Sequence, residues 1–188
     1  MLKVTLNGGE LWDPIKQEFY YPKGQEITIE HSLVSVSKWE SKWKTFFIGN
    51  KDITVEQFVD YVRCMTITQN VNPELYKVLY NDPELIKTIA EYMADSMTAT
   101  TINEAALKMA SGNKMISSKR ITSELIYYWM TALNIPFECQ KWHINRLLTL
   151  IKVASIESQP PKKMNKADAM RQQASINAMR KAKHRTRG

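Results

Sequence analysis

The chain reads as an α+β protein, a mainly α-helical domain with an N-terminal β-hairpin and a basic C-terminal extension. Three observations predict this class. Short alternating apolar runs fill the first thirty residues, separated by glycine and proline. The middle carries apolar stripes at three- and four-residue spacing, several of them opened by a capping side chain. The last 29 residues hold nine Lys or Arg against a single acid, Asp168. The expected divisions are 1–31 for the β-hairpin region, 32–159 for the helical body and 160–188 for the basic tail.

Leu2 to Leu6 alternates, and Asn7-Gly8-Gly9 breaks it. Ile15 to Tyr21 then meets Pro22-Lys23-Gly24-Gln25 and is expected to return as Glu26 to Glu30, a hairpin with one buried face. A small sheet of this kind is marginal alone and must lie against helices.

Ser32 suits the cap of a first helix with Val36, Trp39, Trp43 and Phe46 or Phe47 on one stripe, and Gly49-Asn50 supplies a stop. Thr54 with Gln57 three residues on is a capping-box pattern. It opens a helix bearing Phe58, Val59, Val62 and Met65. Asn72-Pro73-Glu74 and Asp82-Pro83-Glu84 each place a cap before a proline at the first helical position, then an acid in the positive first turn. Residues 96–118 are less regular, with a short helix expected at 103–109.

The most apolar stretch is Ile121 to Ile156. Leu125, Ile126, Trp129, Met130 and Leu133 form one stripe; Ile144, Leu147, Leu148 and Ile151 form another. The break at Asn134-Ile135-Pro136 predicts an antiparallel helical hairpin, with Pro136 in the first turn of the second helix. Pro160-Pro161 ends it. The tail beyond is rich in helix formers, and Met170, Ile176 and Met179 are expected to share a thin stripe.

The net charge of +7 is unevenly placed. Removing the tail leaves seventeen basic and eighteen acidic residues, so the first 159 residues carry −1 and the tail +8. Lys162, Lys163, Arg171, Arg180, Lys181, Arg185 and Arg187 are the candidate polyanion-binding residues. Binding of nucleic acid, binding of an acidic protein and a solubilising end stay open for them. Cys64 and Cys139 make no disulfide framework, and reduced, mostly buried thiols are expected. The opening MLKVTLNGG lacks the apolar region of a secretory signal, and the hairpin is too polar to span a bilayer.

Candidate chemistry is sparse. Cys139 and His143 fall four apart on the expected helix, where a thiolate and an imidazole can share a face. A zinc site needs about four ligands, and no second pair stands at matching spacing. A partly buried cysteine and a helix-surface histidine are therefore expected. His31 is expected to make a cap or loop hydrogen bond. Glu91 and Asp95 read as a solvated face, and no glycine-rich phosphate loop is present. Trp39 and Trp43, interleaved with Lys38, Lys42 and Lys44, allow a base-stacking surface; core packing or a protein interface fits the spacing of four better. No catalytic, cofactor-binding or metal-binding residue is expected, and no enzyme activity. Trp39, Trp43, Trp129 and Trp142 are the candidates for the core or a partner contact. A homo-oligomer stays open.

Several stretches carry a resemblance. They are His31-Ser32-Leu33, Ser37-Lys38-Trp39-Glu40-Ser41-Lys42-Trp43, Cys64-Met65-Thr66, Met97-Thr98-Ala99-Thr100-Thr101, and the block from Thr122 through Asn145-Arg146-Leu147-Leu148 to Ile151. Together they cover most of Glu30 to Ile156. In these the chain resembles small proteins of the structural and assembly modules of tailed phages and prophages of Gram-positive hosts, and it is similar to tail assembly chaperones. The resemblance implies a non-enzymatic role in the host cytoplasm, with tape measure and tail tube proteins as partners. The alternative, which the basic tail would also fit, is a virion protein of the head–tail region whose tail contacts DNA or an acidic neighbour. The basic tail departs from a pure chaperone.

Overall fold

The computed structural model describes residues 1–13, 15–101, 120–158 and 166–184. The chain divides into two compact units, Met1–Ser158 and Gln159–Gly188. The first begins with four strands, β1 (Leu2–Leu6), β2 (Leu11–Asp13), β3 (Glu18–Tyr20) and β4 (Gln25–Ile29). Helices α1 (Leu33–Trp43), α2 (Val55–Met65), α3 (Pro83–Ala94), α4 (Ser123–Ala132) and α5 (Ile144–Glu157) follow. Two 3-10 helices, Pro73–Tyr80 and Phe137–Lys141, precede α3 and α5. The described part of the second unit is the helix α6 (Lys166–His184). The protein is thus α+β and mainly helical. The helix expected at 103–109 lies outside the described residues.

The strands nest one pair inside the other, which corrects the expected pairing. Residues 15–21 do not return onto 26–30. Instead β4 pairs antiparallel with β1, with Val4 opposite Ile27 and Leu2 opposite Ile29, while β2 pairs with β3, with Trp12 opposite Phe19. Burial decides the matter. Val4, Leu6, Ile27 and Ile29 share one face and are nearly or fully enclosed, whereas Glu18 and Phe19 are exposed. A run without a buried face cannot displace one that has it. The second edge of β4 is taken by the end of α2: the Glu30 N–H donates to the Met65 carbonyl at 3.0 Å, and the Ile67 N–H donates to the Thr28 carbonyl at 2.8 Å. The inner hairpin leaves and returns through a narrow neck. A Cβ on Gly8 would lie 2.0 Å from the Pro22 carbonyl oxygen, so only glycine fits there.

The helix starts follow their local chemistry. Ser32, Thr54, Asn72 and Asp82 are all N-caps, and Thr54 and Gln57 complete a reciprocal capping box. Two ends differ from expectation. α1 stops at Trp43, because Lys44 turns left-handed at φ 54° and the Glu40 carboxylate takes the Phe47 N–H at 2.9 Å. After Asn134, at φ 53°, Pro136 leads into a 3-10 helix, and α5 begins only at Ile144.

α1 divides the core. Val36 and Trp39 face a cluster built from the β1–β4 sheet, α2, the Pro73–Tyr80 helix and α3. Leu33 faces a second cluster built from α4, the Phe137–Lys141 helix and α5. Full burial of side chains such as Trp39, Tyr61, Met65, Ile126 and Met130 stabilises each cluster by about 1.5–3 kcal/mol per side chain.

Candidate functional site

Between the two clusters lies a seam of buried polar groups. Glu30, His31, Ser32, Ser35, Glu40, Ser123 and His143 are all buried. Buried polar groups persist where they find partners; Ser32 and Ser35 find them locally, the Ser123 hydroxyl has none among the described residues, and the glutamates and histidines reach distant parts of the chain. Glu40 accepts the Phe47 N–H on one oxygen and the Ser123 N–H, at 2.7 Å, on the other, tying α1 to the start of α4. The His31 carbonyl accepts the Ile144 N–H at 2.7 Å, and His31 Nδ1 lies 2.5 Å from the Tyr61 hydroxyl. The His31 and His143 rings pack edge-on with centroids 5.1 Å apart.

His143 caps α5. Its Nε2 lies 3.1 Å from the Tyr92 carbonyl, and its Nδ1 faces the Asn145 N–H at 3.4 Å. A carbonyl only accepts and an N–H only donates, so these partners assign a neutral ring with its proton on Nε2. Burial lowers the His143 pKa, against an opposing pull from the Tyr92 carbonyl. Burial, and next the neighbouring His143, hold His31 down at about 3. Tyr92 donates to Glu30 at 2.7 Å, and burial followed by that contact raises its pKa. The other Glu30 oxygen pairs with the amine of Met1 at 2.9 Å.

This arrangement corrects the sequence reading of Cys139 and His143. The intervening residues form a 3-10 helix, so the two do not stand four apart on one α-helix face. His143 is 5 % exposed, not a helix-surface residue. His31 also departs from expectation: its ring meets the Tyr61 hydroxyl of α2 in the core, not a cap or loop group. Among the described residues no group of three His, Cys, Asp or Glu side chains is placed to hold a metal ion. The seam's hydrogen bonds hold folded segments together. A surface cleft of about 490 Å³ lies against Glu40, Lys44, Phe46, Arg120 and Glu124, and neither histidine lines it. Two cations, Lys44 and Arg120, and two carboxylates, Glu40 and Glu124, line it, and Arg120 lies 5.1 Å over the Phe46 ring, so it presents no field of one sign.

The four candidate tryptophans take different places. Trp39 is fully buried in the first cluster and donates to the Gln57 carbonyl at 2.8 Å. Trp43 is half-buried beside it and donates to Asp60 at 2.8 Å, with Lys42 on the other Asp60 oxygen. Trp129 and Trp142 are half-buried against the second cluster, and Arg146 covers the Trp142 ring at 4.4 Å. Trp39 therefore has no surface to offer, and Trp43 keeps its indole N–H occupied. Trp39 cannot act as a base-stacking platform of the kind single strands need, and Lys42 lies 5.4 Å over the half-buried Trp43 ring.

The large apolar surface lies elsewhere. On β2 and β3 the Trp12 and Phe19 rings meet edge-on at 4.9 Å and stay 47 % and 57 % exposed. Ile15 and Tyr21 of the same hairpin are exposed too, and Tyr20 anchors it by donating to Glu74 at 3.0 Å. Tyr80, Tyr128 on α4 and Phe137 are the other exposed aromatics among the described residues of the body. Sequence reasoning assigned Ile15 to Tyr21 to a buried strand and so missed this hairpin. The available signal was its poor alternation, with Glu18 beside Phe19 and Tyr20.

In the second unit, Arg171, Arg180 and Lys181 lie on α6, exposed; Lys162, Lys163, Arg185 and Arg187 lie outside the described residues. Of the expected stripe of Met170, Ile176 and Met179, only Ile176 and Met179, three apart, share a side. At about 100° per residue, Met170 and Met179 fall on opposite sides of the helix. No helix of the described residues is long and apolar enough to cross a membrane. No protein-family model, curated protein or solved structure matches the chain.

Proposed function

We propose that this chain is a non-enzymatic assembly protein of tailed phages. It acts in the host cytoplasm as a tail assembly chaperone, holding tape measure and tail tube proteins before they polymerise. The observation that carries the protein-binding part is the exposed Trp12–Phe19 pair on the β2–β3 hairpin, flanked by Ile15 and Tyr21. Exposed aromatic clusters of this kind mark contact surfaces, and aromatic anchors supply most of the energy of such contacts. The near-neutral body favours an apolar contact over an electrostatic one. The resemblance of Glu30 to Ile156 supports the phage setting. The histidines support no reaction, since both are buried and bonded to protein groups.

The test is capture of co-expressed tape measure or tail tube protein by the full chain. The wild type is expected to retain one of them, and the Trp12→Ala/Phe19→Ala variant to lose it while keeping its helical circular dichroism. Presence in purified mature virions at fixed stoichiometry would overturn the chaperone role and assign the chain to the head–tail structure.

A further inference from the structure

We infer that α6 binds the phosphate backbone of duplex nucleic acid without reading its sequence. This goes beyond the assembly role and does not rest on it. Lys166 to His184 holds five Lys or Arg against one acid. Every side chain from Met170 to Lys181 is exposed within its unit, as is Lys183. The charge is concentrated at the C-terminal end. Arg180, Lys181 and Lys183 fall within about 4.5 Å of helix axis, at a rise of about 1.5 Å per residue. That is a mean spacing of about 2.3 Å, nearer the duplex's one phosphate per roughly 1.7 Å than the roughly 3.4 Å of one strand. On the adjoining turn the Gln173 and Asn177 amides touch at 3.4 Å. Arg180 and Lys181 follow Asn177 by three and four residues, so amides and cations share a face.

The same geometry argues against two competing ligands. A helix lying in a membrane surface needs an apolar face, and one seated in a protein groove needs apolar anchors three, four and seven residues apart. Ile176 and Met179 share a side, but Met170 lies opposite Met179, and two apolar residues make neither a face nor a run of anchors. A helix of 19 residues without an apolar seam is marginal alone. Neutralisation by phosphates is what this helix has to gain from a ligand.

The experiment is fluorescence anisotropy of a labelled 30-base-pair DNA duplex titrated with the full chain, from 50 to 200 mM salt. If the three clustered cations are engaged, the slope of log K against log salt is about −2.7, roughly a 40-fold loss across the range. In the Arg180→Gln/Lys181→Gln/Lys183→Gln variant the slope falls by about 2.7. Equal binding of an RNA duplex supports a backbone site. Unchanged slope in the variant, equal affinity for a 30-nucleotide single strand, or equal retention on 1:1 phosphatidylglycerol/phosphatidylcholine vesicles would each overturn the proposal.

Discussion

Acid is expected to loosen the body through its two buried histidines. Tyr61 from α2, the His143 ring and Phe47 enclose His31, with Glu30 adjacent in the chain; Tyr92 and Asn145 enclose His143. Both pKa values lie below the ordinary histidine value, that of His31 at about 3. The unfolded chain therefore takes up protons first as pH falls. Stability from these groups is complete above about pH 6.5 and is lost below it, for His31 down to about 3. One proton difference is worth about 1.4 kcal/mol per pH unit, so His31 alone removes about 2 kcal/mol between pH 6.5 and 5. That window lies above the range where carboxylates take up most of their protons. Urea unfolding of the full chain at pH 8, 7, 6 and 5 measures it. His31→Asn keeps an acceptor for Tyr61 and removes the titration. The variant should be weaker at pH 8 yet lose about 2 kcal/mol less by pH 5. A wild type that is flat from pH 7 to 5, or a variant with the wild-type slope, refutes the reasoning.

Three further outcomes are expected. Glu40→Ala strands two buried N–H groups at Phe47 and Ser123 and should cost about 4 kcal/mol in urea unfolding, with Glu40→Gln nearer 2 because one acceptor oxygen survives. Gly8→Ala must push the Pro22 carbonyl aside, and a thermal melt should show a loss of several degrees; an unchanged melting temperature would mean the neck is loose. Thr54→Ala removes the capping box of α2 and should cost about 1 kcal/mol. Adding Gln57→Ala removes the second, separate bond, from the N–H of residue 54, and should cost about 0.5 kcal/mol more.

What could be read from the chain was what depends on near neighbours. Ser32, Thr54, Asn72 and Asp82 cap helices because each satisfies an N–H two or three residues away. The pairing of β4 was not local. Pro22 to Gly24 advertised a turn to residues 15–21, but the partner with a matching buried face was β1, beyond the whole inner hairpin. His143 was misplaced because apolar periodicity runs through 137–143 in either helix type. Its burial depends on Tyr92, 51 residues earlier. Trp39 and Trp43 look alike in sequence, and only the packing of α2 against α1 separates a core residue from a half-buried one. The exposure of Trp12 and Phe19 rests on the same tertiary facts. The charge of the tail was plain, whereas the scatter of its methionines appeared once they were set on a helix.

Because Gly8 meets Pro22, the segment between them starts and finishes at one spot on the body. It is an interchangeable loop in the mechanical sense. Its length and tip can change without disturbing the register of β1 on β4, since closing a longer loop costs only about 0.6 kcal/mol per doubling. Substitutions at this tip therefore leave the seam and both cores as they are.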